Sequence, residues 1–236
     1  MFSASARYYD DIYAAIHKNY AAEARKARAL IRAHKKSPGN RLLDVACGTG
    51  MHAAVLGKYF QVEGLDLDPE MLAVARRNHP GIPFHQGDML DFTLPSRFDA
   101  IVCLFSSIGY VRTRTRLRKA IRNMGDQLLP GGVLLVEPWF TPEQWNVGYV
   151  GLVRLDKPGL RIVRMSHAGK RRGISVLDLE YLIGTPRGIQ HLTETHELGL
   201  FTDEDYLDAF RRAGLEVIHD PQGLDGRGIY IGLRPQ

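Results

Sequence analysis

An apolar run that reaches an acid and then breaks into a glycine turn, Arg41-Leu42-Leu43-Asp44-Val45-Ala46-Cys47-Gly48-Thr49-Gly50, constrains this chain more than any other stretch. It reads as a buried strand feeding a ligand-binding loop and then a helix. Gly48 and Gly50 have no Cβ, so the backbone can take unusual dihedrals and lie close against a ligand. The helix that follows presents free N–H groups. A second acid, Asp66, ends the next apolar run about twenty residues on, where a carboxylate can accept both hydroxyls of a ribose.

The same spacing serves dinucleotides, so departures from G-x-G-x-x-G decide between ligands. Here Asp44 stands two residues before the turn and position 53 is alanine, not glycine. Asp44-x-x-x-Gly48-x-Gly50 resembles motif I of the class I S-adenosylmethionine-dependent methyltransferases, with Ala46 where many members have the first glycine. Such a loop faces an amino acid and a nucleoside rather than a pyrophosphate. Gln86-Gly87-Asp88-Met89 follows another short strand. By the resemblance, Asp88 meets the adenine amino group and Met89 packs on the ring.

A chain of 236 residues with 44% apolar residues can bury a full core and fits one α/β domain with an insertion. Two cysteines, Cys47 and Cys103, give no disulfide framework and suit a reducing compartment. No zinc spacing appears, and no metal is expected. No apolar run approaches a membrane span and the N-terminus lacks a signal-peptide apolar region, so a cytoplasmic protein without membrane contact is expected. The net charge of +5 raises the question of nucleic acid. Arg25, Arg28, Arg32 and Lys35 recur at helical spacing, and Arg112, Arg114, Arg116, Arg118, Lys119 and Arg122 crowd a second helix. Neither cluster comes with an aromatic-rich groove, so both read as solvated helix surfaces and nucleic acid is not expected.

From residue 1 the pattern predicts a helical segment over 5–36 closed by Pro38-Gly39, then alternating strands and helices. Strands are predicted near 41–46, 61–66, 82–85, 98–105 and 132–137, with helices near 50–59, 69–78 and 113–129. Asp68-Pro69 supplies an N-cap and an N1 proline. Pro130-Gly131-Gly132 is read as the stop of the third helix. Near residue 150 the rhythm changes to four alternating strands (150–156, 160–167, 174–183, 190–200) separated by glycine-containing turns. A helix after Thr202 and strands at 215–219 and 228–233 complete the pattern. The fold predicted is a Rossmann-like, open, mostly parallel seven-stranded sheet carrying an antiparallel β insertion and N-terminal helices. The division is 1–40 as a helical cap, 41–149 with 202–236 as the cofactor-binding core, and 150–201 as a substrate or dimer region. Antiparallel edges need a cover, and pairing with a second subunit would give a homodimer.

The blocks Leu42–Gly50, Gly64–Met71, His85–Met89, Leu104–Tyr110, Val136-Glu137-Pro138-Trp139 and Gly226-Arg227-Gly228, with Tyr9-Asp10-x-Ile12-Tyr13 and Lys18-Asn19-Tyr20-Ala21-Ala22-Glu23, narrow the resemblance. Together they resemble the nucleotide-linked amino-sugar N,N-dimethyltransferases of antibiotic deoxysugar pathways such as those to desosamine and mycaminose. That resemblance implies S-adenosylmethionine as methyl donor and S-adenosylhomocysteine as product. It puts Tyr20, Asp44, Ala46, Gly48, Gly50, Asp66, Leu67, Asp88, Met89 and Leu104 at the cofactor. It puts Tyr13, Glu137, Trp139, Tyr149 and Arg227 at a dTDP-linked or similar sugar nucleotide. Two positions depart from the pattern: Ile16 replaces a cofactor-contacting arginine, and Tyr110 stands where some relatives have histidine.

A sulfonium is already an activated electrophile, so the amine needs only to arrive as a free base aligned opposite the leaving sulfur. Tyr13, Tyr110 and Glu137 are the candidates for orienting that amine, with water or His167 taking its proton. Arg227, between two glycines, would meet the diphosphate. The blander readings are that Tyr8 and Tyr9 pack helices on the sheet, Trp139 and Trp145 are core or interface anchors, and His167, His191 and His196 are structural. A methyltransferase for another small-molecule amine, one acting on RNA, and a non-catalytic cofactor-binding module are the alternatives.

Overall fold

In a computed structural model, which describes residues 2–236, the chain forms two sheets. The strands β1 (Arg41–Val45), β2 (Gln61–Asp66), β3 (Phe84–Gln86), β4 (Phe98–Cys103) and β5 (Leu128–Val136) are parallel. Two more follow beyond β5: β11 (Ile229–Leu233) pairs antiparallel with β5, and β10 (Glu216–Asp220), antiparallel to β11, runs with the other five. The order is β10-β11-β5-β4-β1-β2-β3, the predicted seven-stranded sheet. β1, β4 and β5 are buried on both faces, as their continuous apolar runs require.

Alternate residues of these strands feed two core layers. Leu43, Val45, Ile101 and Leu134 pack under α5 (Arg114–Asp126) and α6 (Asp203–Arg212). Leu42, Ala100, Val102 and Leu135 pack under α2 (Tyr20–His34), α3 (Met51–Leu56) and α4 (Pro69–Asn78). The predicted caps form: Asp68 accepts from Glu70 N–H at 2.9 Å at the start of α4, and Thr202 and Asp205 close a capping box on α6.

The four insertion strands β6 (Val150–Lys157), β7 (Leu160–Arg171), β8 (Ile174–Thr185) and β9 (Gly188–Gly199) form a separate antiparallel meander. Tyr8 and Ile12 pack with its buried inner-face residues, among them Ile162, Tyr181 and Ile183.

Several predicted boundaries shift, three of them for reasons the packing shows. The N-terminal segment is not one helix: α1 (Tyr9–Ala15) stops, His17 turns left-handed at φ 60°, and Asn19 caps α2 by accepting from Ala22 N–H at 2.9 Å. The halves serve different cores, since Ile12 faces the antiparallel sheet while Ala24, Ala27 and Ile31 face the parallel one. Next, α5 ends at Asp126, and Pro130-Gly131-Gly132 lies inside β5 rather than ending the helix. There it makes a bulge: the register with β4 jumps from Phe98↔Leu128 to Ala100↔Val133, and the Gly131 carbonyl accepts from Lys36 and Ser37. Finally, β4 ends at Cys103, because Phe105 and Ser106 both turn left-handed and lead into a 3₁₀ turn at Ser107–Val111.

Candidate functional site

The loops after β1 and β4 diverge because their strands continue to opposite sides of the sheet, and this switch point is where open α/β sheets bind ligands. Here a cavity of about 400 Å³ opens, with α1 and the inner face of the antiparallel meander contributing further walls. The end of β2 and the connections after β1, β2 and β3 contribute Ala46, Gly48, Asp66, Leu67, Asp88 and Met89 to its wall; Tyr13 comes from α1, Tyr110 and Trp139 from the segments after β4 and β5, and Arg227 from the loop before β11.

The glycine turn is left-handed at three positions: Ala46 at φ 57°, Gly48 at 55° and Gly50 at 80°. Gly48 N–H donates to Asp66 at 2.7 Å, so the loop is clamped to the acid that ends β2. The other oxygen of Asp66 accepts from Asp68 N–H at 2.9 Å. Burial pushes Asp66 above its ordinary pKa, with those backbone donors pulling it back. Asp88 spends one oxygen on Leu90 N–H at 3.0 Å.

This wall fits S-adenosylmethionine. Leu67 and Met89 offer apolar surface, Asp66 and Asp88 offer acceptors for hydroxyl and amino donors, and the Ala46–Gly48 backbone is bare toward the cavity. Asp44, Gly50, Tyr20 and Leu104 do not reach the wall. Asp44 lies beneath the loop, where burial and the neighbouring Asp66 push its carboxyl up to about 8. Gly50 caps α3, Leu104 is core, and Tyr20 stacks edge-on against His52.

On the acceptor side, Tyr13 packs edge-on to Phe105 with ring centroids 5.1 Å apart, and the Arg164 guanidinium of β7 lies 5.5 Å from its ring. Trp139 Nε1 donates to Ser175 at 2.9 Å, which locks the indole to the antiparallel sheet. Glu137 is fully buried behind the wall rather than on it. Its Oε2 accepts from Phe105 N–H at 2.6 Å, holding the strained left-handed turn, and its Oε1 lies 3.1 Å from Arg227 Nη2. Burial pushes Glu137 above its ordinary pKa against the pull of Arg227. Arg227 is also bidentate to Asp225, at 3.1 and 2.5 Å. Tyr149, 58% exposed at the start of β6, stands outside the cavity. His167 is exposed on β7 and off the wall, because strand alternation turns it to the outer face.

Four residues given structural or surface readings do reach the wall: Tyr9, Arg112, Arg116 and His196. His196, 1% exposed, meets the Tyr110 hydroxyl through Nδ1 at 2.7 Å. The pairing joins the 3₁₀ turn after β4 to β9. The sequence signal that could have found it is the burial parity of Glu194, His196 and Leu198 on one strand face.

An open parallel sheet with this loop, this acid and this cavity defines the class I methyltransferase fold. Residues 42–132 match the family described as a methyltransferase domain. The chain is 43% identical over 97% of its length, and 90% of the relative's, to a dTDP-3-amino-3,6-dideoxy-alpha-D-glucopyranose N,N-dimethyltransferase of Streptomyces fradiae. Among solved structures it is similar to DesVI of Streptomyces venezuelae, with a TM-score of 0.92, 37% identity and 98% of each chain covered. It is also similar to the amino pentose methyltransferase CalS10 of Micromonospora echinaspora with S-adenosylmethionine bound, with a TM-score of 0.86, 37% identity and 96% of each chain covered. The chain belongs to the class I S-adenosylmethionine-dependent methyltransferases and, within them, to the family of the amino-sugar N-methyltransferases. It is an enzyme that uses S-adenosylmethionine.

Proposed function

We propose that this enzyme methylates, and dimethylates, the amino group of a nucleotide-linked amino deoxysugar, with dTDP-3-amino-dideoxyhexoses as the first class to test. The observation that carries this reading is the near full-length 43% identity to a dTDP-3-amino-sugar N,N-dimethyltransferase, together with one continuous cavity that joins the cofactor wall to the Tyr13, Tyr110, Trp139 and Arg227 wall.

When bound, S-adenosylmethionine supplies a methyl group on a positively charged sulfur, ready for attack by a neutral amine. Every other task falls to the chain. Asp66 takes the ribose hydroxyls, and Asp88, Met89 and Leu67 hold the adenine. Ala46 and Gly48 bring bare backbone to the amino-acid part, and Asp44, Gly50, Tyr20 and Leu104 hold that wall from behind. Tyr13 and Tyr110 orient the amine, so positioning carries most of the rate enhancement. Glu137 acts by holding Phe105 and Arg227 in place. Trp139 offers an apolar face to the sugar, and Tyr149 meets the nucleotide end outside the cavity. Arg227, already shared between two carboxylates, carries only part of the positive charge a diphosphate needs. Arg116, on the wall and without a carboxylate within 4.0 Å among the described residues, adds more.

Two further readings belong with this one. Leu152, Val163, Met165 and Leu182 are exposed on the outer face of the meander, with Leu152 opposite Met165 and Val163 opposite Leu182. Charges of both signs, Arg154 and Glu180, stand in the same rows, so the face is suited to a second copy turned about a two-fold axis. A homodimer is the result, and Leu152→Asp with Met165→Glu is expected to yield monomers by light scattering. Cys47 and Cys103 are free buried thiols, which supports a cytoplasmic setting, and no helix of the described residues is long and apolar enough to cross a membrane.

The test is methyl transfer from labelled S-adenosylmethionine to a panel of dTDP-linked 3-amino, 4-amino and neutral sugars, with a free amine and bulk tRNA as controls. Turnover confined to amino-sugar nucleotides is expected. Turnover of tRNA, or of the free amine alone, would overturn the reading.

A further inference from the structure

We infer that His196 is the proton acceptor of this site, working through the hydroxyl of Tyr110. The inference rests on the amine-methylating reading above, because methylation of an amine has a proton to dispose of. In each transfer the nitrogen lone pair forms the new N–C bond and the S–C bond breaks with its electron pair returning to sulfur. The product nitrogen is then an ammonium carrying one proton too many for a second transfer. Dimethylation needs that proton removed between the two events, in a cavity walled largely by aromatic and aliphatic side chains.

The geometry around His196 selects its tautomer. Nδ1 lies 2.7 Å from the Tyr110 hydroxyl, whereas Nε2 is buried, makes no hydrogen bond among the described residues and lies 3.8 Å from Oε2 of Glu194. A bare Nε2 lone pair would face a carboxylate; an Nε2–H faces it favourably. The proton therefore belongs on Nε2, and Nδ1 is the acceptor for the Tyr110 O–H. That leaves the lone pairs of the Tyr110 oxygen for a donor inside the cavity, which both residues line. An ammonium N–H placed there passes its proton to the Tyr110 oxygen as the phenol proton moves to Nδ1, so the phenol ends neutral and the imidazole ends as imidazolium.

Glu194 is built to stabilise that imidazolium. It accepts from Ser5 N–H at 3.0 Å, from the Ser5 hydroxyl at 2.8 Å and from the Tyr181 hydroxyl at 3.0 Å. Burial pushes its carboxyl up, but the bonds from Ser5 and Tyr181, with the His196 imidazole nearby, outweigh it and hold Glu194 below its ordinary pKa. Burial likewise holds His196 below its ordinary value, with Glu194 pulling the other way, so the imidazole starts neutral. Burial pushes the Tyr110 phenol well up, so it relays rather than ionises.

His196→Asn is the decisive variant, because its amide oxygen can stand near the Nδ1 position and accept from Tyr110 but cannot take a proton. The second methyl transfer, followed in single turnover from the monomethylated sugar, is expected to slow on the order of 100-fold, the low end for general acid–base catalysis. S-adenosylhomocysteine affinity and thermal midpoint should stay near wild type, and monomethylated product should accumulate. Tyr110→Phe should lose a similar factor, and the double variant little more. A second arm uses the wild-type protein without substrate: nitrogen-15 spectra should show His196 as the Nε2–H tautomer with a hydrogen-bonded, unprotonated Nδ1, perturbed by Tyr110→Phe. A His196→Asn rate within about twofold of wild type, or a resting Nδ1–H tautomer, overturns the inference. Failure of the wild-type enzyme on every amino sugar would instead overturn the substrate reading, while the tautomer still judges the relay.

Discussion

Ala46 holds a methyl group in a left-handed conformation, φ 57°, that costs an L-residue about 1–2 kcal/mol. The chain keeps it where a glycine would rest unstrained, and Gly48 and Gly50 complete the turn. Ala46→Gly is therefore expected to stabilise the protein by about 0.5–1 kcal/mol in chemical denaturation, the relief of strain being partly offset by a freer unfolded chain. Gly50→Ala should do the reverse, costing about 1–3 kcal/mol, since a Cβ there would lie 2.8 Å from Cζ of Phe84 at φ 80°. Beneath the turn, Asp44 titrates near 8 when folded against an ordinary 3.8. The folded state then holds a proton that the unfolded state has released, so this residue makes stability fall as pH rises through that window. Asp44→Asn should flatten the fall, leaving the variant's advantage larger at about pH 8 than at about pH 5 in matched denaturation curves. Behind the acceptor wall, Arg227→Ala should cost about 3–5 kcal/mol if Glu137 stays ionised and less as it takes up a proton. Adding Glu137→Gln should return much of that loss in a double-mutant cycle.

At the scale of elements, α1 ties the cofactor loop to the antiparallel sheet. Asp10 accepts from Thr49 in the turn at 2.6 Å, and just before α1 Ser5 bonds Glu194 of β9 and Ser3 bonds Asp68 at the start of α4. Asp10→Ala should weaken S-adenosylhomocysteine binding by roughly 1 kcal/mol in calorimetry, and the ligand should slow amide exchange across Tyr9–Ala15. The same elements show what the sequence could and could not say. The strand, acid and glycine turn at 41–50, the Asp68-Pro69 cap and the four insertion strands were legible because each is fixed by local chemistry or a period-two pattern. The break at His17 was not, because it is set by two cores lying in different directions. Nor was the bulge at Pro130-Gly131, whose meaning depends on the pairing partner. Spacing and resemblance singled out Asp66, Asp88 and Met89, which line one cavity. They did not single out His196, since its role comes from a contact between β9 and a turn 86 residues earlier.

For the whole molecule, part of the net charge of +5 is held in ion pairs between helices. Arg114 pairs with Asp205, and Arg118 and Arg212 share Asp208, so much of the α5 cluster is neutralised against α6. Arg112, paired with Glu197 at 3.0 Å, and Arg116 reach the cavity wall. On the proposed function, basic charge at the cavity serves one small ligand; binding to a polymer backbone would instead weaken steeply with salt. The most direct test of N-methylation is to incubate the enzyme with S-adenosylmethionine carrying a carbon-13 methyl and a dTDP-3-amino-dideoxyhexose, following the sugar by NMR and mass spectrometry. One and then two labelled methyl groups on the sugar nitrogen are predicted. Label on a hydroxyl, or label left entirely on the cofactor beside intact amino sugar, would contradict it.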